Sequence, residues 1–88
     1  METEEKAEIG LGLFDMLVDD IEPDDLANEI GNEMLDAGIP LEEGVLIGQM
    51  AIEAFTNAKN PQNDSKFKGN KVYIEMLKQL ASGEWQLP

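Results

Sequence analysis

Five carboxylates stand within seven residues, Asp19, Asp20, Glu22, Asp24 and Asp25, and oxygen ligands at that density are what a hard divalent cation requires. Asp20, Glu22 and Asp24 even fall on the first, third and fifth positions of a calcium-loop pattern. The pattern then breaks. Its sixth position, which needs Gly for a sharp turn, is Asp25; its twelfth, which needs a bidentate Glu, is Gly31; and Pro23 intrudes. The expectation is therefore no specific metal and no cofactor. Asp24 and Asp25 have a local explanation as first-turn helix residues, whereas Asp19 and Asp20 oppose a helix C-terminus at a cost of about 0.3–1 kcal/mol each when exposed. A local rule broken without compensation marks a candidate binding residue.

Asp25, Glu29 and Glu33 form a second constellation, a ladder at i, i+4 spacing extended by Asp36. Like charges so placed destabilise an isolated helix by about 0.2–0.5 kcal/mol per pair, so the opposite face must offset them by packing. Four residues of helix rise about 6 Å, against one charge per roughly 3.4 Å along a DNA strand. A single row is thus too sparse to imitate DNA. Asp15 and Asp19 on one side, or Glu42, Glu43 and Glu53 on the other, would supply a second row if the faces converge.

Other chemistries lack their residues. The chain has no Cys and no His, hence no thiolate nucleophile, no disulfide framework and no imidazole base. It has no Arg either, which removes bidentate recognition of phosphate. Paired carboxylates for glycoside hydrolysis need to face each other across a cleft, and a few short helices do not readily build one. The expectation is a protein that is not an enzyme.

Charge is unevenly divided. Residues 1–58 hold sixteen acids and one Lys, a net −15, while residues 59–88 hold three acids and five Lys, a net +2, together the −13 of the whole. Self-repulsion of this size weakens the compact state, and a cationic partner would relieve it. Direct binding to nucleic acid is not expected, because affinity for phosphates comes from cationic side chains. The basic segment Lys66, Phe67, Lys68 and Lys71 is expected to lie against the acidic body and reduce its repulsion.

The elements that position these residues follow from apolar spacing. In 88 residues a single domain is expected, one that buries roughly 60–65% of its unfolded surface. The expected fold is all-α, a small bundle of about four short helices. The first spans about Glu4 to Asp19, with Ile9, Leu13, Phe14, Leu17 and Ile21 on one face and Leu11 and Val18 on another. So much apolar circumference suits a helix central in the bundle or shared with a second chain, and a homodimer follows from the latter.

The second helix has Glu22 in its N-cap region, Pro23 at the first helical position and Gly38 at the left-handed C′ position, with Ile39 making the following apolar contact. Leu26, Ala27, Ile30, Met34 and Ala37 form its apolar face. The third runs from Pro40 to about Ala58, with Leu41, Val45, Gly48, Ile52 and Phe55 toward the core and Gly44, Gly48 and Ala51 permitting close helix packing. On its polar side Leu46 and Met50 are expected to form a small exposed apolar patch rimmed by acids.

Residues 59–70 read as a loop. Asn70 then caps a helix from about Lys71 to Ala81, with Val72, Tyr73, Met76, Leu77 and Leu80 inward and Gly83 ending it. The competing reading is a short β-hairpin near residues 66–74, because Gly69-Asn70 suits a two-residue turn. Trp85 and Leu87 are expected to fold back onto the bundle. Glu2-Thr3-Glu4-Glu5 is the opposite of a basic signal-peptide region, and no apolar run reaches the roughly 18 residues of a membrane span. A soluble cytoplasmic location is the expectation.

The function expected is that of an acidic interaction protein, an inhibitor or regulator of a partner's basic, nucleic-acid-binding surface. Asp19, Asp20, Asp25, Glu29, Glu33 and Asp36 would be its charged surface, and Leu46 and Met50 its apolar anchors. Small acidic Cys-free proteins encoded by phages or mobile elements share this composition, an analogy that carries over no residue. The alternative is a helical assembly, adaptor or chaperone protein that homo-oligomerises.

Overall fold

A computed structural model describes residues 2–59, 65–83 and 85. Among the described residues there are four α-helices and no strand: α1 Thr3–Leu17, α2 Pro23–Met34, α3 Leu41–Lys59 and α4 Lys71–Ala81, with a 3-10 turn Leu35–Ala37 extending α2. The all-α bundle expected from apolar spacing is present. The alternative hairpin is not: residues 66–69 form a turn, and α4 begins at Lys71. Asn70 decides this, since its Oδ1 accepts from the N–H groups of Val72 at 2.8 Å and Tyr73 at 3.3 Å. Once the side chain fills the N-cap, the backbone after it is committed to helix.

Local chemistry also fixes the α2–α3 corner. Pro23 opens α2 with Asp24 and Asp25 in the first turn. At the other end Gly38 takes φ 84°, its N–H donates to the Leu35 carbonyl at 3.0 Å, and the Ile39 N–H donates to the Met34 carbonyl at 3.2 Å. These are the paired bonds of a Schellman cap, and Ile39 and Met34 are both buried there. The carbonyl of Pro40 then accepts from the Gly44 N–H at 2.8 Å, so α3 starts without a break.

α1 and α3 each touch all three other helices, and α3 makes its most extensive contact with α2, so the two share the centre of the bundle. The contact of α3 with α2 is very close. A Cβ added to Gly31 would lie 2.5 Å from Val45 Cγ2, one on Gly44 would lie 3.0 Å from the Gly31 Cα, and one on Gly48 would lie 2.9 Å from the Ala27 carbonyl oxygen. The small residues expected to allow close packing do so, and Gly31 on α2 is the partner that sequence spacing did not single out. Against α1, Ile47 fills the notch at Gly10, and Phe14 stacks on Phe55 with ring centroids 4.3 Å apart.

This centrality corrects the rotation assigned to α3. A helix surrounded on several sides buries a wide arc, here Gly44, Ile47, Gly48, Met50, Ala51, Ala54 and Phe55. Met50 is in the core at 2% exposure, while Leu41, assigned inward, is 47% exposed. Val45 and Ile52 are half-buried at the edge of the arc. α1 is turned in the same way: Ala7, Gly10, Leu11 and Phe14 are its buried residues, so Leu11 is central and Ile9, Leu13 and Leu17 flank it. On α2, Leu26, Ile30 and Met34 are buried as expected, but Ala37 is exposed.

Trp85 packs partly buried against the core, with Cη2 3.6 Å from where a Gly12 Cβ would stand. Leu87 lies outside the described residues. No helix among the described residues is long and apolar enough to cross a membrane.

Candidate functional site

α1 ends at Leu17, and the chain turns through residues 18–21 with the Asp20 and Ile21 N–H groups both donating to the Leu17 carbonyl at 3.0 Å. Asp19 and Asp20 therefore sit just beyond the last turn, exposed, at the negative end of the α1 dipole. Glu22, Asp24 and Asp25 are exposed on the far side of the same turn. Among the described residues no three acids gather into a group that could hold a metal ion. Density along the chain does not become density in space, because the turn splays these side chains into solvent.

The α2 ladder keeps its expected face. Asp25, Glu33 and Asp36 are exposed and Glu29 is half-buried, all opposite the buried Leu26, Ile30 and Met34. Of the acids that would add a second row from α3, two are engaged within the fold. Glu43 Oε2 pairs with Lys6 Nζ at 2.8 Å, and Glu53 Oε1 accepts from the Ser65 hydroxyl at 3.0 Å. Glu42 stays exposed, as do Asp15 and Asp19 on the α1 side.

Lys6–Glu43 is the only ion pair among the described residues. Lys66, Lys68, Lys71 and Lys78 are exposed and make none, which corrects the expectation that the basic segment rests on the acidic body. Lys66 Nζ instead lies 5.1 Å from the centroid of the Phe67 ring, and Phe67 itself is buried beside Tyr73. The reason is that this segment is held by apolar and neutral contacts: Phe67 in the core, the Ser65 hydroxyl accepting from the Phe67 N–H at 3.1 Å, and Asn57 Nδ2 donating to the Tyr73 hydroxyl. Its lysines are left pointing outward.

The apolar pair proposed as an anchor is divided. Leu46 is 40% exposed, as expected, but Met50 is part of the core, so the two-residue patch does not form. Other exposed apolar side chains were not singled out by spacing: Met16 at 70%, Leu35 and Leu41 on either side of the Gly38 corner, and Ile74. Leu35 could have been found, since it follows Met34 and falls off the α2 apolar stripe. Met16 carries no such signal, because apolar residues surround α1 on most sides.

Comparison with known protein families, curated proteins and solved structures finds no match for this chain.

Proposed function

We propose that this chain acts by binding, as an inhibitor or regulator that covers a basic, nucleic-acid-binding surface of another protein. The observation that supports this most is the uncompensated acidic surface. Asp19, Asp20, Asp25, Glu33 and Asp36 are exposed, Glu29 is half-buried beside them, and none of them has a cationic partner within the described fold. A surface that carries the cost of self-repulsion without internal relief is complementary to positive charge elsewhere. The mechanism is competition: the acids steer the encounter, and bulk plus charge keep nucleic acid off the partner. Leu46 remains a candidate apolar anchor, and Met50 is removed from that role by its burial.

A direct test compares wild type with the Asp25→Asn/Glu29→Gln/Glu33→Gln variant in surface-binding measurements against a partner isolated by low-salt affinity capture. The variant is expected to fold and to associate about tenfold more slowly or worse, as wild type does at high salt. Displacement of DNA or RNA from the partner should weaken in parallel. Unchanged association by the variant would refute the acidic-face reading.

The exposed Met16, Leu35, Leu41, Leu46 and Ile74 favour a second reading, assembly through apolar surface. A homodimer that persists in high salt, seen by size-exclusion chromatography with light scattering, would select it. A monomer would exclude it.

A further inference from the structure

Lys71, Ile74 and Lys78 recur at i, i+3 and i+7 on α4, and all three are exposed, so a stripe with a cation at each end and an apolar side chain between them faces solvent. Phe67, buried beside Tyr73 with ring centroids 6.2 Å apart, fastens the preceding turn to α4. That holds the exposed Lys66 and Lys68 near its N-terminal end. None of these lysines makes an ion pair, and Glu75, half-buried between Lys71 and Lys78 in sequence, pairs with neither. Lys71 also stands at the first position of α4, the positive end of the helix dipole, where a cation is disfavoured.

The second observation is where packing puts this stripe. α4 packs on α1 and α3, α2 packs on the same two helices, and no extensive contact joins α2 to α4, so the α1–α3 pair stands between them. The lysine stripe and the α2 acid row therefore look out from opposite sides and do not meet within one chain. Their lengths agree. Lys71 to Lys78 covers about 10.5 Å of helix rise and Asp25 to Glu33 about 12 Å, a difference that the flexible lysine stem absorbs. Asp25 and Glu33 are exposed and unpaired, as the lysines are.

We infer that the α4 stripe docks on the α2 acid row of a second copy of this chain, head to tail. Lys71 and Lys78 meet Asp25 and Glu33, and Ile74 is covered between them. A nucleic acid fits less well, since its dense charge continues past the stripe and repels the acids of the same molecule. Two copies of net −13 also repel, but how far that repulsion reaches depends on salt. At 0.15 M the Debye length is about 8 Å, a fraction of the 32 × 28 × 24 Å extents of the molecule, so the facing patches decide. At 0.01 M it is about 30 Å and net repulsion wins; at 1 M it is about 3 Å and the contact itself is screened. Association is therefore greatest at intermediate salt. The contact occupies the row assigned to the basic partner, so the inference rests on that reading of α2 and makes self-association compete with partner binding.

The test is sedimentation velocity of the full chain at about 0.01, 0.15 and 1 M salt. The expected result is self-association greatest at the middle salt, with an average mass that keeps rising with concentration, because a heterologous contact stays open-ended. Lys71→Glu/Lys78→Glu should weaken it about 25-fold or more, at about fivefold per charge contact near 4 Å in water. Asp25→Lys/Glu33→Lys should do the same. A mixture of the two variants should associate again, although each reversal shifts the charge by two and both chains stay negative, at −17 and −9. Should the acid variant fail to fold by circular dichroism, the exposed lysine pair decides alone. A monomer at every salt, including one that binds a labelled oligonucleotide through these lysines, would overturn the inference. So would association that grows steadily with salt, or a lysine variant that associates as wild type does. The lysine variant keeps the α2 row and should bind the basic partner at least as fast as wild type, so failure here leaves the α2 reading to its own triple variant.

Discussion

Replacing Gly31 with Ala tests the contact on which the bundle turns. The added methyl would stand 2.5 Å from Val45 Cγ2, 2.8 Å from the Val45 backbone nitrogen and 3.1 Å from its Cα, whereas carbon atoms settle at about 3.5–4.0 Å. A valine methyl can rotate aside, but the backbone nitrogen belongs to α3 and cannot. α2 and α3 must therefore part, at the roughly 1–3 kcal/mol typical of overpacking. Ala in place of Gly within a helix returns about 0.5–1 kcal/mol, so the net loss reaches up to about 2.5 kcal/mol. For a domain of this size each kcal/mol moves the melting temperature by about 4–8 °C, so a fall of up to about 20 °C is expected by circular dichroism.

Gly12 is the control. Its added methyl would meet only Trp85 Cη2, at 3.6 Å, an ordinary contact. Gly12→Ala should then gain the helix propensity alone and melt about 2–8 °C higher. Adding Val45→Ala to Gly31→Ala removes the methyl clash but not the one with backbone, so rescue should be partial. If Gly31→Ala stabilised the protein as Gly12→Ala does, the close α2–α3 approach would be refuted.

Met50→Ala is expected to cost about 2–5 kcal/mol as a core truncation, while Leu46→Ala stays within about 0.5 kcal/mol; equal effects in urea melts would contradict the rotation of α3. Asn70→Ala should cost about 0.5–2 kcal/mol by removing the α4 cap, read as a lower urea midpoint with unchanged slope. Since one ion pair serves the whole described surface, stability should rise with salt from about 10 mM to 0.5 M as repulsion is screened. A melting temperature independent of salt would show that the acids are compensated.

Wherever a residue acts on its own backbone, sequence determined the outcome. Pro23, Gly38 and Asn70 fixed helix ends within a residue or two, because φ limits and side-chain caps operate over a few bonds. The face of α2 was equally legible, since acids and apolar residues alternate there at helical period. α1 and α3 were not: both are apolar over most of their circumference, so periodicity leaves their rotation open, and Met50, Leu11 and Leu41 were assigned to the wrong side. Tertiary packing decided it. Gly31, Gly44 and Gly48 let two backbones meet, and that contact turned α3 so that Met50 went inward. The candidate surface divides the same way: Asp25, Glu29, Glu33 and Asp36 share a face by helical geometry alone. The engagement of Glu43 by Lys6 and of Glu53 by Ser65 depends on residues far apart in the chain. Only packing brings such residues together.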